Sequence, residues 1–207
     1  MTTVSEISSG KPRRRRRSDA DRSAATVLRA AVRVLGQRPD ASVEEIAAAA
    51  GVARQTVYAH YPSRQVLLNA VIDQITGEVI AAIDAADIDA GPATAALSRW
   101  LDTSWHLLER YPLLLHPSVA TIDPQQSYER HVPITDRLQR LIRRGQDTGE
   151  FDPALSPIWL LAATMALGHA AGDEVAAGRM TSAQAGKALR ESVLRLYRTA
   201  GPQRINE

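Results

Sequence analysis

Residues Ser42–Leu68 read SVEEIAAAAGVARQTVYAHYPSRQVLL and contain two short helical segments separated by a glycine. Ser42 and Glu45 have the spacing of a capping box, in which the serine oxygen accepts from the N3 amide and the glutamate returns to the cap amide. The first of these two short helices is predicted to stop at Gly51. The second is predicted over Ala53–Tyr61 and stops at the proline that follows. Two short helices joined by a tight turn predict a helix-turn-helix, whose second helix enters the DNA major groove by its amino-terminal end.

The amino-terminal end of this second helix carries side chains that suit base readout. Arg54 can bond bidentately to guanine, Gln55 can do so to adenine, and Thr56 offers a hydroxyl and a methyl group to base edges. Further DNA contacts are predicted, mainly to phosphates, at Ser42, Tyr58, His60 and Arg64. The alternative is a helical hairpin with ordinary charged faces, in which the tyrosines are core aromatics. We favour that packing role for Tyr61, because it shares the face of Val57.

Charge is distributed unevenly along the chain. The 207 residues are 44% hydrophobic and 23% charged, with a formal net charge of +2, which is a globular composition. Residues 1–64 contain 12 Lys or Arg against 6 Asp or Glu, and residues 65–207 contain 13 against 17, so +6 precedes −4. A basic front end predicts that the first segment meets a polyanion. The absence of cysteine excludes disulfides and thiolate sites, and the predicted location is the cytoplasm.

Five consecutive arginines, Arg13, Arg14, Arg15, Arg16 and Arg17, close the amino-terminal tail. We expect residues 1–17 to be disordered alone and to contact the minor groove or the DNA backbone. An ordinary solvated tail is the alternative. An export signal is not expected, because residues 18–35 are amphipathic rather than continuously apolar. No membrane partner is expected either, because the most apolar segment, Ile158–Ala171, is interrupted by polar residues and shorter than the roughly 18 residues of a span.

Helical periodicity continues through the rest of the chain, and no alternating run of β-branched residues predicts a strand. The first helix is predicted to start at Ser18, and a long fourth helix to follow Ser63. Further helices are predicted over Ala93–Glu109, Pro112–Val119, Ser127–Gln146, Ser156–Ala177 and Thr181–Thr199. The predicted fold is all-α, with a basic arm (1–17), a three-helix helix-turn-helix domain (18–65) and a larger helical domain (66–207).

The stretch Ser42–Leu68 resembles the DNA-binding domain of TetR-family transcriptional regulators. The matching positions are Ser42, Ile46-Ala47, Ala50-Gly51-Val52, Thr56, Tyr58, Tyr61, Ser63 and Arg64. The chain departs from the family pattern at Ala53, where members often carry serine, and at Tyr61 and Arg64, where phenylalanine and lysine are common. The missing cap contact at Ala53 is expected to cost up to about 1 kcal/mol.

The resemblance implies that the remaining chain is a helical domain that dimerises and binds a small molecule. The last two long helices are predicted to form a four-helix interface with a partner, through Leu160, Leu161, Leu167, Gly168, Leu189, Val193, Leu196 and Tyr197. The alternative is that these helices only close the subunit's own core. Two recognition helices about 34–36 Å apart would read a palindrome.

Aromatic and polar residues of the second half are the candidates for an effector pocket. They are Trp100, Trp105, His106, Tyr128, His131, Trp159, Met165 and His169, together with Tyr111 and His116. Core packing is the alternative for each of them. The histidines lack metal-like spacing, so neither a metal nor another cofactor is predicted.

No phosphate-binding loop, nucleophile elbow or dinucleotide turn occurs in the sequence, so an enzyme is not predicted. The function predicted is a homodimeric repressor that a small-molecule inducer releases from a palindromic operator. The alternative is a helical small-molecule-binding protein or enzyme with a nonspecific basic tail. The effector, the operator and the choice between repressor and activator are not encoded in any recognisable pattern.

Overall fold

The computed structural model describes residues 11–116 and 124–198, with the side chains of residues 11–18, 124 and 127 left aside. Within these ranges the backbone forms eight α-helices, one 3-10 helix and no strand, so the all-α prediction is confirmed. The α-helices are α1 (Lys11–Gln37), α2 (Val43–Ala50), α3 (Arg54–His60), α4 (Arg64–Ala85), α5 (Ala93–Arg110), α6 (Pro124–Asp147), α7 (Pro157–Ala176) and α8 (Ser182–Leu196). The 3-10 helix, Pro112–Leu115, follows α5.

The first compact unit ends at Val71 and contains the helix-turn-helix. Its core is formed by buried side chains of α1, α2 and α3, which include Val27, Leu35, Ile46 and Val57. The predicted capping box is present: the Glu45 amide donates to Ser42 Oγ at 3.2 Å, and the Ser42 amide donates to Glu45 Oε2 at 2.7 Å. The helix then ends at Gly51, whose φ of 68° lies in the left-handed region that favours glycine.

The first helix begins earlier than the sequence analysis predicted. α1 starts at Lys11 rather than Ser18, so residues 11–17 of the expected disordered arm are helical, while residues 1–10 lie outside the described part of the chain. Pro12 falls in the first turn, where its missing N–H breaks no helical hydrogen bond, and arginine is a good helix former. Nothing in the sequence between Lys11 and Ser18 therefore stops the helix.

The second compact unit begins at Ile72, inside α4, whereas the predicted boundary lay at the start of that helix. Among the described helices, α4 is the one long and apolar enough to cross a membrane by length and composition. The core helix of a soluble protein passes the same test. Several large apolar side chains of α4 are buried, including Leu67, Val71, Ile75 and Ile83 at 0–1% exposure, whereas Val66 is 45% exposed, so packing accounts for much of its apolar composition.

The core of the second unit is centred on Phe151, which is 1% exposed. Its ring contacts the Tyr197 ring edge-on, with centroids 5.0 Å apart, and lies against the backbone of Gly145. The Tyr197 hydroxyl and Thr164 Oγ1 are hydrogen-bonded at 2.9 Å. These contacts join the end of α6 to α7 and α8. The stretch GQDTGEFDP (145–153) is therefore a packing motif.

The helices predicted around residue 120 differ most from the structure. The segment predicted as a helix over Pro112–Val119 is a 3-10 helix of four residues, and residues 117–123 lie outside the described ranges. α6 begins at Pro124 instead of Ser127, again with a proline in the first turn.

Candidate DNA interface and ligand cavity

The recognition helix candidate, α3, presents its amino-terminal end to solvent. Arg54 and Gln55 are exposed, Thr56 is half-buried, and Val57 is 1% exposed and anchors the helix in the core. The cap residue Ala53 makes no side-chain hydrogen bond to the helix. An exposed, uncapped first turn leaves backbone N–H groups available to an anion.

Arg54 is held in place by two neighbours in the same unit. Its guanidinium forms an ion pair with Glu44 of α2, lies over the Tyr58 ring at 5.3 Å from the centroid, and donates to the Tyr58 hydroxyl at 3.4 Å. These contacts raise the pKa of Arg54, mainly through the hydrogen bond with Tyr58 and then through the charge of Glu44. The side chain therefore stays charged and partly ordered on the exposed face, which lowers the entropy lost when it contacts a base.

Tyr61 and Arg64 make hydrogen bonds to other parts of the first unit. The Tyr61 hydroxyl donates to the Ala24 carbonyl of α1 at 3.3 Å, and burial raises the pKa of this tyrosine. Its packing role is thus supported. The Arg64 guanidinium donates to the carbonyls of Ala41 and Pro39 at 2.5 and 2.8 Å, so this arginine ties α4 to the loop before α2. Its contact with a phosphate remains a prediction.

The Ser42 hydroxyl is engaged inside the capping box, since it also donates to Glu45 Oε2 at 3.1 Å. Arg38 bonds the other oxygen of Glu45 at 2.8 Å. The Ser42 amide and then Arg38 hold the pKa of Glu45 below its usual value. Arg38 and Arg33 were not predicted to stabilise the helix-turn-helix. Arg33 donates a hydrogen bond to the Ala49 carbonyl at 3.2 Å. His60 is half-buried, and the side chains of residues 13–17 lie outside the described part.

A cavity of about 430 Å³ lies in the second unit. This volume is within the range of roughly 300–1,000 Å³ that is typical of small-molecule sites. The lining comes from α4 to α8 and the 3-10 helix, and is mostly apolar. It comprises Ile72, Thr76, Val79, Trp100, Leu101, Ser104, Trp105, Leu107, Leu108, Leu114, Leu115, His116, Arg130, His131, Ile134, Thr164, Met165, Gly168, His169, Asp173 and Leu189.

The cavity collects most of the predicted pocket residues. Those in the lining are Trp100, Trp105, His116, His131, Met165 and His169. Four others lie outside it. His106 is exposed, with Nδ1 2.7 Å from the Asp102 carbonyl, and Tyr111 is buried and donates to Glu78 at 2.5 Å. Tyr128 and Trp159 are 67% and 58% exposed.

Several cavity residues carry no obvious sequence signal, including Thr76, Ser104 and Arg130. Arg130 sits on α6 and bonds Asp73 of α4 through Nε at 2.6 Å. About two turns further along, Arg137 bonds both carboxylate oxygens of Asp84, at 2.6 and 2.9 Å, and lowers the pKa of that carboxyl. Helical spacing places arginines at 130 and 137 on one face, but the carboxylates on α4 could be paired with them only from coordinates.

The predicted dimer residues divide into two groups. Leu160, Leu189, Val193 and Tyr197 are 0–6% exposed and belong to the subunit's own core, so they are not available to a partner. Leu161, Leu167, Gly168 and Leu196 are half-buried, and Gly168 lines the cavity. The outward apolar face of α7 begins instead at Ile158 and Trp159, which are 69% and 58% exposed. The apolar periodicity located the helices but could not show which face is outside.

Among residues 11–116 and 124–198, no group of three or more histidines and carboxylates is placed to hold a metal ion.

Comparisons with known proteins agree with this arrangement. Residues 27–71 match the sequence profile of bacterial regulatory proteins of the tetR family. The chain is 38% identical over 109 residues to the HTH-type transcriptional repressor LfrR of Mycolicibacterium smegmatis, a match that covers 51% of the chain and 56% of that repressor. The sequence match thus spans about half the length of this curated relative.

Two crystal structures of the TetR-like regulator LfrR from Mycobacterium smegmatis extend the likeness over the whole fold. The structure without a named ligand is 31% identical, covers 88% of this chain and 99% of LfrR, and gives a TM-score of 0.52. The complex of LfrR with proflavine is 29% identical over the same shares of the two chains, with a TM-score of 0.65.

Proposed function

Because the chain belongs to the TetR family of bacterial transcriptional regulators, we propose that it is a homodimeric repressor which a small molecule releases from a palindromic DNA operator. The observation that carries the proposal is the first turn of α3, where the side chains of Arg54 and Gln55 are exposed to solvent. The preceding helix, α2, is held by its capping box. The relative LfrR is named as a transcriptional repressor, which agrees with this proposal. We place the protein in the cytoplasm, on the nucleoid when it is bound to DNA.

DNA recognition is assigned to the exposed end of α3. Arg54 and Gln55 read base edges, Thr56 contributes a hydroxyl and a methyl group, and Tyr58 and His60 lie along the phosphates. Arg64 and Ser42 mainly hold the helix-turn-helix in shape and reach phosphates from its edge. The arginines at 13–17 continue the basic surface along the DNA backbone.

The test is selection of bound sequences from a pool of random duplexes, followed by binding titrations with the selected duplex. We expect a palindrome with half-sites about one helical turn apart. Arg54→Ala should weaken specific binding by a factor of about 5 to 150, because a bidentate arginine–guanine contact contributes about 1–3 kcal/mol. Arg143→Ala removes the same charge from α6, where Arg143 is exposed, and should change the affinity less than twofold. Recovery of no common sequence, or equal losses in the two variants, would contradict the proposal.

Dimerisation is assigned to the outward face of α7 and its neighbour α8. Ile158 and Trp159 are large exposed apolar side chains at the start of α7, and an exposed apolar patch favours association. Trp159→Glu should therefore convert the dimer to a monomer in analytical ultracentrifugation. Tyr128→Glu is the matched control, because Tyr128 is equally exposed on α6 and should leave the dimer intact.

The effector is assigned to the cavity of the second unit. LfrR has been crystallised with proflavine, and we carry over only that a small molecule binds in this domain. Gly168→Leu is designed to fill the cavity, because Gly168 lines it and an added Cβ would meet no atom within 4 Å. This variant should still bind the selected duplex but should no longer be released by compounds that release the parent protein. A filled cavity with unchanged release would refute the assignment.

A further inference from the structure

Four polar atoms in the cavity lining are buried and lack hydrogen-bond partners. They are the indole nitrogens of Trp100 and Trp105, the hydroxyl of Ser104 and Nη1 of Arg130. The two tryptophans are only 4% and 8% exposed. A buried tryptophan N–H normally finds an acceptor, and leaving a buried donor unpaired destabilises the fold. Four such atoms around one cavity therefore point to an occupant that accepts hydrogen bonds.

Trp100 and Ser104 define where that acceptor lies. They are four residues apart on α5, so their side chains are neighbours on one face of the helix. Both residues belong to the cavity lining, so a polar group of an occupant at this face of α5 meets two donors that lack partners. Trp105 is less suited, because its Nε1 packs close to the Gly186 backbone of α8, at 2.6 Å from where a Cβ would stand.

The charge of the lining argues against a full anion. Arg130 donates to Asp73 through Nε at 2.6 Å, so its charge is already balanced by a carboxylate. Asp173 adds a negative charge to the lining. Arg130 is the one arginine or lysine among the described residues that line the cavity, and Asp73 already pairs with it, so a carboxylate would bear the cost of desolvation without an unpaired arginine or lysine to offset it. A neutral oxygen satisfies the same donors without that cost.

We propose that the effector is an apolar molecule bearing a neutral carbonyl oxygen, such as a ketone, ester or amide, which accepts hydrogen bonds from Trp100 and Ser104. Arg130 Nη1 donates to a second oxygen where the molecule has one, and the surrounding leucines contact its apolar body. This inference rests on the proposed function in one respect, namely that the bound molecule regulates DNA binding. Binding of the molecule itself requires no DNA.

The test uses two probes of nearly equal shape, 2-acetonaphthone and 2-isopropenylnaphthalene, which differ by a carbonyl oxygen in place of a methylene group. Their binding to the full chain is measured by equilibrium dialysis. Trp100→Phe removes the N–H while keeping an aromatic ring, and it should weaken the ketone about fivefold more than the hydrocarbon, as expected for one lost hydrogen bond. Ser104→Ala should show the same selectivity with a smaller change in volume. Tyr128→Phe removes a hydroxyl donor from an exposed aromatic ring outside the cavity and is the control; it should affect neither probe.

The anion 2-naphthoate should bind no more tightly than the ketone. The proposal is overturned if both cavity variants weaken the two naphthalene probes equally, if 2-naphthoate binds tenfold more tightly than the ketone, or if neither neutral probe binds. Failure of operator selection would refute the proposed function and leave this result untouched. The two ideas therefore fail in separate experiments.

Discussion

Replacing Gly145 by alanine should destabilise the second unit, although alanine is the better helix former. Gly145 lies in the last turn of α6, and a Cβ there would stand 2.1, 2.4 and 2.6 Å from Cδ2, Cε2 and Cγ of Phe151. The ring cannot move away easily, because it is 1% exposed and packs against Tyr197. Overpacking of this kind costs about 1–3 kcal/mol, against a helix-propensity gain of up to about 1 kcal/mol. The net expectation is a loss of about 1–2 kcal/mol.

Gly77→Ala provides the matched control. Gly77 is an exposed residue of α4, and a Cβ there would meet nothing within 4 Å, so only the propensity gain remains. Thermal unfolding of the two variants is followed by circular dichroism at equal protein concentration. With a shift of about 2–4 °C per kcal/mol for a chain of this size, Gly145→Ala should lower the midpoint by about 2–8 °C. Gly77→Ala should raise it by up to about 4 °C. Stabilisation by both substitutions to the same degree would refute the reasoning about Phe151.

Three further predictions concern caps and titrating groups. Ser42→Ala should lower the free energy of unfolding of the first unit by about 1 kcal/mol in urea titrations, since it removes the N-cap oxygen of α2. An unchanged free energy of unfolding would show that the capping box does not stabilise the unit. The pKa values of Glu45 and Glu150 are lowered, the first mainly by the Ser42 amide and the second by two amides at the start of α5, so their contribution to stability should be lost progressively as the pH falls below about 4.5. Glu150→Gln should reduce the loss of unfolding free energy as the pH falls. If the unfolding free energy of the variant depends on pH as steeply as that of the parent protein, the role given to Glu150 is wrong. Burial raises the pKa of Tyr197 from 10.0 to about 12, so stability should decline as the pH rises between these values, and Tyr197→Phe should make the decline less steep.

The local signals of the sequence were sufficient for the helix-turn-helix part of the first unit. Capping residues, Gly51 and the prolines are short-range features, and they predicted α2, α3 and the start of α4 to within one residue. The start of α1 was missed, because residues 11–17 carry no stop signal and a run of like charges suggested disorder. Composition alone does not show whether such a run is helical.

The second unit shows the limit of periodicity. An apolar repeat on α7 predicted the helix, but Leu160 is in the core while Trp159, its neighbour, is exposed. Which stripe is inside depends on contacts with α6 and α8, which are distant in sequence. The same reason explains why Ser104 and Arg130 were not predicted as cavity residues: each is an ordinary polar residue on an amphipathic helix until the facing helices are placed.

The position of α7 has a consequence for efforts to retarget this regulator. Met165 and Gly168 touch the space where a compound would reside, whereas Trp159 lies on the side of the helix opposite Gly168 and is in contact with water. Libraries of substitutions on α7 would therefore change dimerisation and ligand preference together. The effect of each selected variant would be difficult to assign to one of the two. Diversification of α5 and α6 at Leu101, Leu108 and Ile134 changes the shape of the chamber while sparing the outer wall. These two helices are the sounder starting point for a biosensor with altered response.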